Sequence, residues 1–365
     1  MIASCPKQEA ARSSAGGQLP FVSVIMPVRN EARFIRSTLD QLLAQDYDRD
    51  RFEILVADGQ STDATPAIVG EVARRHAHVR LLANPGRLSS AGRNRAIRAA
   101  RGDLIVVVDG HCELDNRHYL RDLAEAFERS GADCIGRPQP LDVTGATTLQ
   151  RAIAAGRASR LGHNPDSYIY SSAEQFVRPQ SVAVAYRRKV FEAVGLFDEQ
   201  FDACEDVEFN HRVDRAGFRC FFTPRVQARY HPRATLGGLF YQMMRYGRGR
   251  VRLLRKHPDT FSVACFLPAA FVAGLVLGPA LACLSPWLAG AYLGVVALYV
   301  LVVLLGSVAV AWKARDGQIL GWLPLVFVAI HVGAGVGILQ ELVFGQRRRE
   351  ASTEPMLPEQ LRPAA

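Results

Sequence analysis

A chain of 365 residues, 49% hydrophobic and 22% charged, exceeds one average domain and can bury a large core. Its net charge of +9 is uneven: Arg245, Arg248, Arg250, Arg252, Arg255 and Lys256 crowd together just before a nearly uncharged stretch. That placement suits anionic lipid headgroups on the cytoplasmic side of a membrane, and no nucleic-acid module is visible. Seven scattered cysteines without a C-x-x-C pair argue against a zinc site or a disulfide framework and suit a reducing compartment.

Along the chain, residues 1–19 are small and polar and read as disordered. Phe21 to Met26 reads as a buried strand ended by Pro27, and Asn30 as the cap of a helix reaching Ala44. A strand is expected over 52–57, a helix over 62–76 capped by Ser61 or Thr62, and a short strand over 79–82. A helix over 89–100, a strand over 104–108 and a helix over 119–129 follow. Strands alternating with helices on this spacing predict an α/β domain with a parallel sheet. Beyond Asp133 the rhythm loosens into short strands near 182–185, 220–222 and 226–230 around a helix at about 205–216.

Residues 236–260 read as an amphipathic, basic segment lying in a membrane interface. Apolar spans near 264–284, 288–311 and 320–344 each reach the roughly 20 residues that cross a bilayer. Ser285-Pro286-Trp287 turns between the first two, and residues 346–365 read as a flexible tail. Three crossings set Arg347, Arg348 and Arg349 opposite the earlier basic residues, against the positive-inside rule. Either the last span is re-entrant or the chain breaks the rule there.

The chemistry-bearing residues cluster at strand and helix ends. Val106-Val-Val-Asp109-Gly-His111-Cys-Glu113 is an apolar strand that stops at an acid, a glycine and an imidazole. Asp109 there can hold a divalent cation, with His111 or Glu113 as a second ligand; the imidazole tilts the choice from Mg²⁺ toward Mn²⁺. The same triplet is also compatible with a plain turn and a surface histidine. Glu205-Asp206 opens a helix with Asp202 and Glu208 close by. Crowded carboxylates raise one another's pKa and can yield a general base, although an acidic first turn also serves the helix dipole. Asp58-Gly-Gln-Ser-Thr-Asp63 offers an acceptor for a nucleobase N–H or a simple strand-to-helix turn. Arg93 and Arg95 are candidates for phosphate contact or solvated charges.

Taken together, Val24-Ile-Met-Pro-Val-Arg-Asn-Glu31, Asp58 to Asp63, Gly102-Asp103, Asp109 and Glu205-Asp206 resemble the family 2 glycosyltransferases in order and spacing. The resemblance covers about residues 21–235 and implies a GT-A fold, a Rossmann-like nucleotide-diphospho-sugar transferase domain over residues 20–235. A C-terminal transmembrane helical region over 261–345 follows it. It implies inverting transfer from a UDP- or GDP-sugar, with Pro27, Arg29, Glu31 and Asp58 binding the nucleoside. Asp109 looks like the first acid of the metal-binding D-x-D motif, and Asp206 like the catalytic base beside Glu205. His111 stands where that motif has its second acid, which is most similar to the bacterial exopolysaccharide, succinoglycan-type branch. Gln242-Met-Met-Arg245-Tyr246 resembles the Q-x-x-R-W signature of membrane polysaccharide synthases and implies contact with acceptor and diphosphate. The expected acceptor is lipid-linked or a glycan, at the cytoplasmic face of a bacterial-type inner membrane. A processive synthase and an inactive membrane scaffold are the alternatives.

Overall fold

The computed structural model describes residues 19–163 and 168–353. The expected disordered start, up to residue 18, and the end of the tail, from 354, lie outside the described residues.

Four strands and their helices form the first half. They run β1 (Val22–Val28), α1 (Ile35–Leu43), β2 (Phe52–Asp58), α2 (Thr65–Arg75), β3 (Val79–Ala83), α3 (Ser89–Ala99) and β4 (Leu104–Val107). β1 pairs in parallel with both β2 and β4, and β2 with β3. The strands alternate because each buries both faces. Val22, Val24, Met26, Ile54, Val56, Leu104 and Val106 share a core with α1 and α2. Ile25, Leu55, Ala57, Ile105 and Val107 share another with α3.

After β5 (Cys112–Glu113) and α4 (Tyr119–Ser130), the chain adds β6 (Cys134–Gly136), α5 (Thr148–Arg157), β7 (Gln175–Val177), β8 (Ala183–Arg187) and α6 (Arg188–Val194). Then come α7 (Glu205–Arg215), β9 (Cys220–Phe222) and β10 (Arg229–Tyr230). The large sheet has the order β3-β2-β1-β4-β8-β6-β9-β7, mixed beyond β4 because β8 runs antiparallel to β4 and to β6. A separate ribbon pairs β5 with β10 antiparallel.

Several expected boundaries shift. Pro27 lies inside β1 rather than ending it. Asn30 does not cap α1; it has φ 57° and belongs to a loop, and the helix starts at Ile35. Neither Ser61 nor Thr62 caps α2, which begins at Thr65 after Ala64.

The C-terminal region is α8 (Leu236–Lys256), α9 (Val263–Ala282), α10 (Pro286–Ala314) and α11 (Leu323–Thr353). Val263–Ala282, Pro286–Ala314 and Leu323–Gly345 are long and apolar enough to cross a membrane. α11 continues past the expected end of the third span at residue 345. Four of the basic residues of α8 have side-chain partners within the chain. Arg248 donates to Gln340, Arg252 pairs with Asp202 and Glu341, Arg255 with Glu341, and Lys256 with Asp198 and Glu208. These charges tie the helix to its own chain; their partners lie far away in sequence, which a local reading of charge cannot see.

Candidate active site

The site follows from strand order. β1 sits between β2 and β4, so the chain leaves it in one direction and later returns on the other side. In such sheets ligands bind outside the carboxyl ends of the strands at this switch point. Val28 aligns with Asp58, and Ile25 with Val107 two residues before Asp109. The three strand ends therefore deliver Pro27 to Glu31, Asp58 and Asp109 to one edge.

Side chains lace the loops after β1 and β2 together. The Asn30 N–H donates to Ser61 Oγ (2.8 Å), the Thr62 N–H to Asn30 Oδ1 (2.8 Å), the Glu31 N–H to Thr65 Oγ1 (2.8 Å) and the Ala32 N–H to Asp63 Oδ2 (3.0 Å). Ser61 and Thr62 thus engage the opposite loop instead of capping a helix, and Asp63 serves both, its Oδ1 accepting the N–H of Thr65 at the start of α2 (3.0 Å). Asp58 Oδ2 accepts from the Ser61 N–H at 3.2 Å, while its Oδ1 is buried without a protein partner. A buried orphan acceptor costs free energy unless something donates to it. Arg29 is exposed at the rim.

Asp109 is gripped from behind. Arg137, fully buried on the turn after β6, donates to Tyr119 Oη (2.9 Å), the Val107 carbonyl (3.2 Å) and Tyr230 Oη (3.2 Å). Tyr230 is hydrogen-bonded to Asp109, and burial first, then the Asp109 charge, push its pKa well up, so the phenol stays protonated. β10 reaches this position through its pairing with β5, where Tyr230 lies opposite Cys112. His111 Nδ1 meets Glu31 Oε1 at 2.9 Å. Burial works against its charged form. The Glu31 hydrogen bond and the Asp109 and Glu31 charges outweigh that and raise its pKa. A carboxylate and an imidazole two residues apart, with an acidic neighbour, are a chemically suitable half of a hard-cation site. They form no closed cage of three donors, so the oxygens of a bound diphosphate would have to complete it.

Opposite lies the start of α7. Glu205 is buried, with Arg93 Nη2 at 3.4 Å. Burial raises its pKa, Arg93 opposes that and Asp206 adds to it. Asp206 is exposed, with Oδ1 accepting only a local N–H from Val207 at 2.9 Å. Arg93 stacks over Phe197 at 5.1 Å, and its Nε is buried without a protein partner. Burial opposes its charge, but Glu205, Asp109 and Asp206, in that order, outweigh it and raise its pKa. One guanidinium therefore feels both halves of the site. Arg95, on the same helix, is exposed to solvent.

On α8, Gln242 donates to Tyr246 Oη (3.2 Å), and Arg245 donates to the carbonyl of Asp202, in the loop leading into α7. Arg233 donates to Gln242 Oε1 at 3.4 Å, and its charge also acts on His111. The structure thus joins Glu31, Asp58, Asp109 and His111 along the sheet edge. Arg93, paired with Glu205, is also favoured by the Asp109 and Asp206 charges, and Arg233, bonded to Gln242, is felt electrostatically at His111. Sequence reasoning did not find Arg137, Tyr230 or Arg233. The strand near 226–230 was legible, but its pairing with Cys112 was not.

A second group of metal-capable side chains lies further along α7. His211, His257 and Asp259 bring donor atoms within 4.8 Å of one another. His257 is engaged by Glu208 (3.0 Å) and His211 by Gln180 (2.7 Å), and Arg215 pairs with Asp259. With Arg212 also lining the cleft, two guanidiniums oppose a cation there.

Residues 23–195 match the domain described as glycosyl transferase family 2. The chain is 32% identical over 330 residues to the succinoglycan biosynthesis protein ExoA of Rhizobium meliloti, covering 89% of this chain and 96% of that protein. It is 24% identical to the dolichyl N-acetyl-alpha-D-glucosaminyl phosphate 3-beta-D-2,3-diacetamido-2,3-dideoxy-beta-D-glucuronosyltransferase of Methanococcus voltae, over 89% of this chain and 98% of that one. Among solved structures, a mannosyltransferase of Pyrobaculum calidifontis in complex with GDP-Man and Mn²⁺ aligns with a TM-score of 0.55 at 21% identity. That alignment covers 89% of this chain and 88% of that one, and it supports the GT-A fold. The chain is a glycosyltransferase of GT-A fold and belongs to glycosyl transferase family 2.

Proposed function

We propose that the chain transfers one sugar, with inversion, from a UDP- or GDP-sugar to a lipid-linked acceptor at the cytoplasmic face of a membrane, in exopolysaccharide or envelope glycan synthesis. The observation that carries this reading is the delivery of Asp58 and Asp109 to one sheet edge at the switch point, with Arg93, paired to Glu205 at the start of α7, favoured in its charged form by Glu205, Asp109 and Asp206. Asp109 faces the leaving diphosphate and Asp206 the acceptor. The likeness to a succinoglycan biosynthesis protein over nearly the whole chain supports the class of product.

In this reading the nucleobase lies against Asp58, whose orphan Oδ1 accepts its N–H. Glu31 holds His111, and Tyr230 and Arg137 fix Asp109. Asp109 and His111 hold a divalent cation, Mn²⁺ or Mg²⁺, which when bound neutralises the diphosphate. Asp206 takes the proton from the acceptor hydroxyl as its oxygen attacks the anomeric carbon. The bond from that carbon to the diphosphate oxygen breaks, and the nucleoside diphosphate leaves with the electron pair. Glu205 positions Arg93 and does not meet the acceptor, because it is buried and paired. Arg245 and Arg233 lie where a diphosphate or a lipid phosphate passes.

Membranes containing the full chain, offered a panel of UDP- and GDP-sugars, test the proposal. Label should enter the lipid extract from one donor, as a single added sugar. Long products would favour a processive synthase. Absence of transfer from every donor, with folded protein present, would refute the reading.

A further inference from the structure

We propose that α11 does not cross the bilayer. It lies along the membrane surface on the side of the catalytic domain, packed beside α8, so that α9 and α10 alone form the crossing hairpin. The proposal rests on the membrane reading above, and its partner is the boundary between headgroups and acyl chains of a phospholipid bilayer.

Both ends of α11 are tied to the catalytic domain. Just before the helix, Asp316 accepts from Arg151 of α5 at 2.8 Å, and Gln318 accepts from the same guanidinium at 2.8 Å. Near its other end, Glu341, only 4% exposed, accepts from Arg252 at 3.1 and 3.2 Å. Arg252 also pairs with Asp202, in the loop before α7. A helix held to one soluble domain at both ends cannot carry its end to the far side of a membrane.

Between those ends α11 runs parallel to α8, in step. Gly333 lies against Phe240, Gly337 against Met244, Gln340 against Arg248 and Glu341 against Arg252. The approach is so close that a Cβ at Gly337 would overlap the Met244 carbonyl, and one at Gly247 the Ala334 carbonyl. α8 itself is fixed to the domain, with Gly249 against Ala203 and Cys204, and Lys256 paired with Asp198. The start of α11 shares a core with α5, in which Ala152, Ile153, Leu323, Val326 and Phe327 are buried together.

Burial agrees. Half of the most apolar window of α11 is buried, against 17% for α9 and 11% for α10. Its polar side chains turn inward: His331 meets the Leu161 carbonyl at 2.8 Å, and Gln340 and Glu341 meet α8. The outward residues Leu325, Val328, Val343 and Phe344, and Trp322 just before the helix, are exposed and apolar. α11 thus offers an apolar outer side to acyl chains, while its inner side, with Leu323, Val326, Phe327, Ile330 and Ile338 buried, is already covered by α5 and α8. With two crossings, Lys313, Arg315 and Arg347 to Arg349 fall on the side of the catalytic domain, and the positive-inside conflict disappears.

The test is labelling of single cysteines by a membrane-impermeant maleimide in intact spheroplasts making the full chain. Cys112, Cys134, Cys204 and Cys220 are buried, so replacing Cys5, Cys265 and Cys283 with Ser clears the background. Asp50→Cys then reports the catalytic domain, Ser352→Cys reports the end of α11, and native Cys283, exposed beyond α9, reports the hairpin tip when retained. The expected result is that Cys283 labels from outside, while positions 50 and 352 label only after permeabilisation. Labelling of 352 from outside together with Cys283 would overturn the assignment of α11. A protected Cys283 beside protected 50 and 352 would refute instead the reading of α9 and α10 as crossings.

Discussion

Glu205 and Asp206 adjoin in sequence but occupy opposite environments, one buried against Arg93 and the other open to solvent. A base must be open to its acceptor, and of the two acids only Asp206 is exposed. Removing Glu205 instead takes from buried Arg93 its largest opposite charge and leaves only Asp109 and Asp206 to favour it, a change that costs up to about 3 kcal/mol. Glu205→Gln should therefore lower thermal stability as well as turnover, and a thermal melt beside the activity assay separates the two effects. At the sheet edge, Asp109→Ala should weaken donor and cation binding together, and His111→Ala should do so less, because Glu31 and Asp109 remain. Donor affinity measured with and without Mn²⁺ checks this, and an unchanged metal dependence in Asp109→Ala would reject the site. The sequence made Asp109, His111, Asp58 and Glu205-Asp206 legible because each ends a clear strand or opens a clear helix. It did not distinguish the two acids of the pair, since burial depends on Arg93, brought from α3 by the fold.

Among the elements, those with clean periodicity were legible: β1 to β4, α2 to α4 and the apolar spans. The short strands β6 and β7 were not assigned, although β9, also of three residues, was; the helices α5 and α6 were not assigned either. The glycines of α8 and α11 also had no local reading; their role is contact between helices. Gly337→Ala should force the two helices apart and cost about 1–3 kcal/mol. Gly274→Ala, where a Cβ meets nothing within 4 Å, should not destabilise. Equal melting temperatures for both variants would contradict the packing. At the junction of α7 with α8, Glu208 is fully buried and its pKa falls to about 2. Burial alone would raise it, but hydrogen bonds from Arg212, His257 and Lys256 outweigh that. Its ionised form is thus favoured in the fold. The stabilisation, up to about 3 kcal/mol, is full above the ordinary carboxylate value and is lost as pH falls toward 2. Melting curves between pH 5 and 3 should fall more steeply for the wild type than for Glu208→Gln.

At the scale of the whole molecule, one sheet edge and one helical plate face each other. In the proposed function the strand ends are the donor side, and α7 with the Gln242 to Tyr246 segment of α8, next to the apolar helices, is the acceptor side. Arg245 binds the loop that leads into α7, so whatever holds α8 in place also sets the position of Asp206. This geometry makes Asp206 the point on which the account turns. The direct measurement is nucleoside diphosphate release, with the preferred donor and a lipid acceptor, by wild type and Asp206→Asn, alongside donor binding by both. The account predicts that Asn lowers the rate by about 10²–10⁴-fold while donor affinity is unchanged. Near-normal turnover by Asp206→Asn would contradict it.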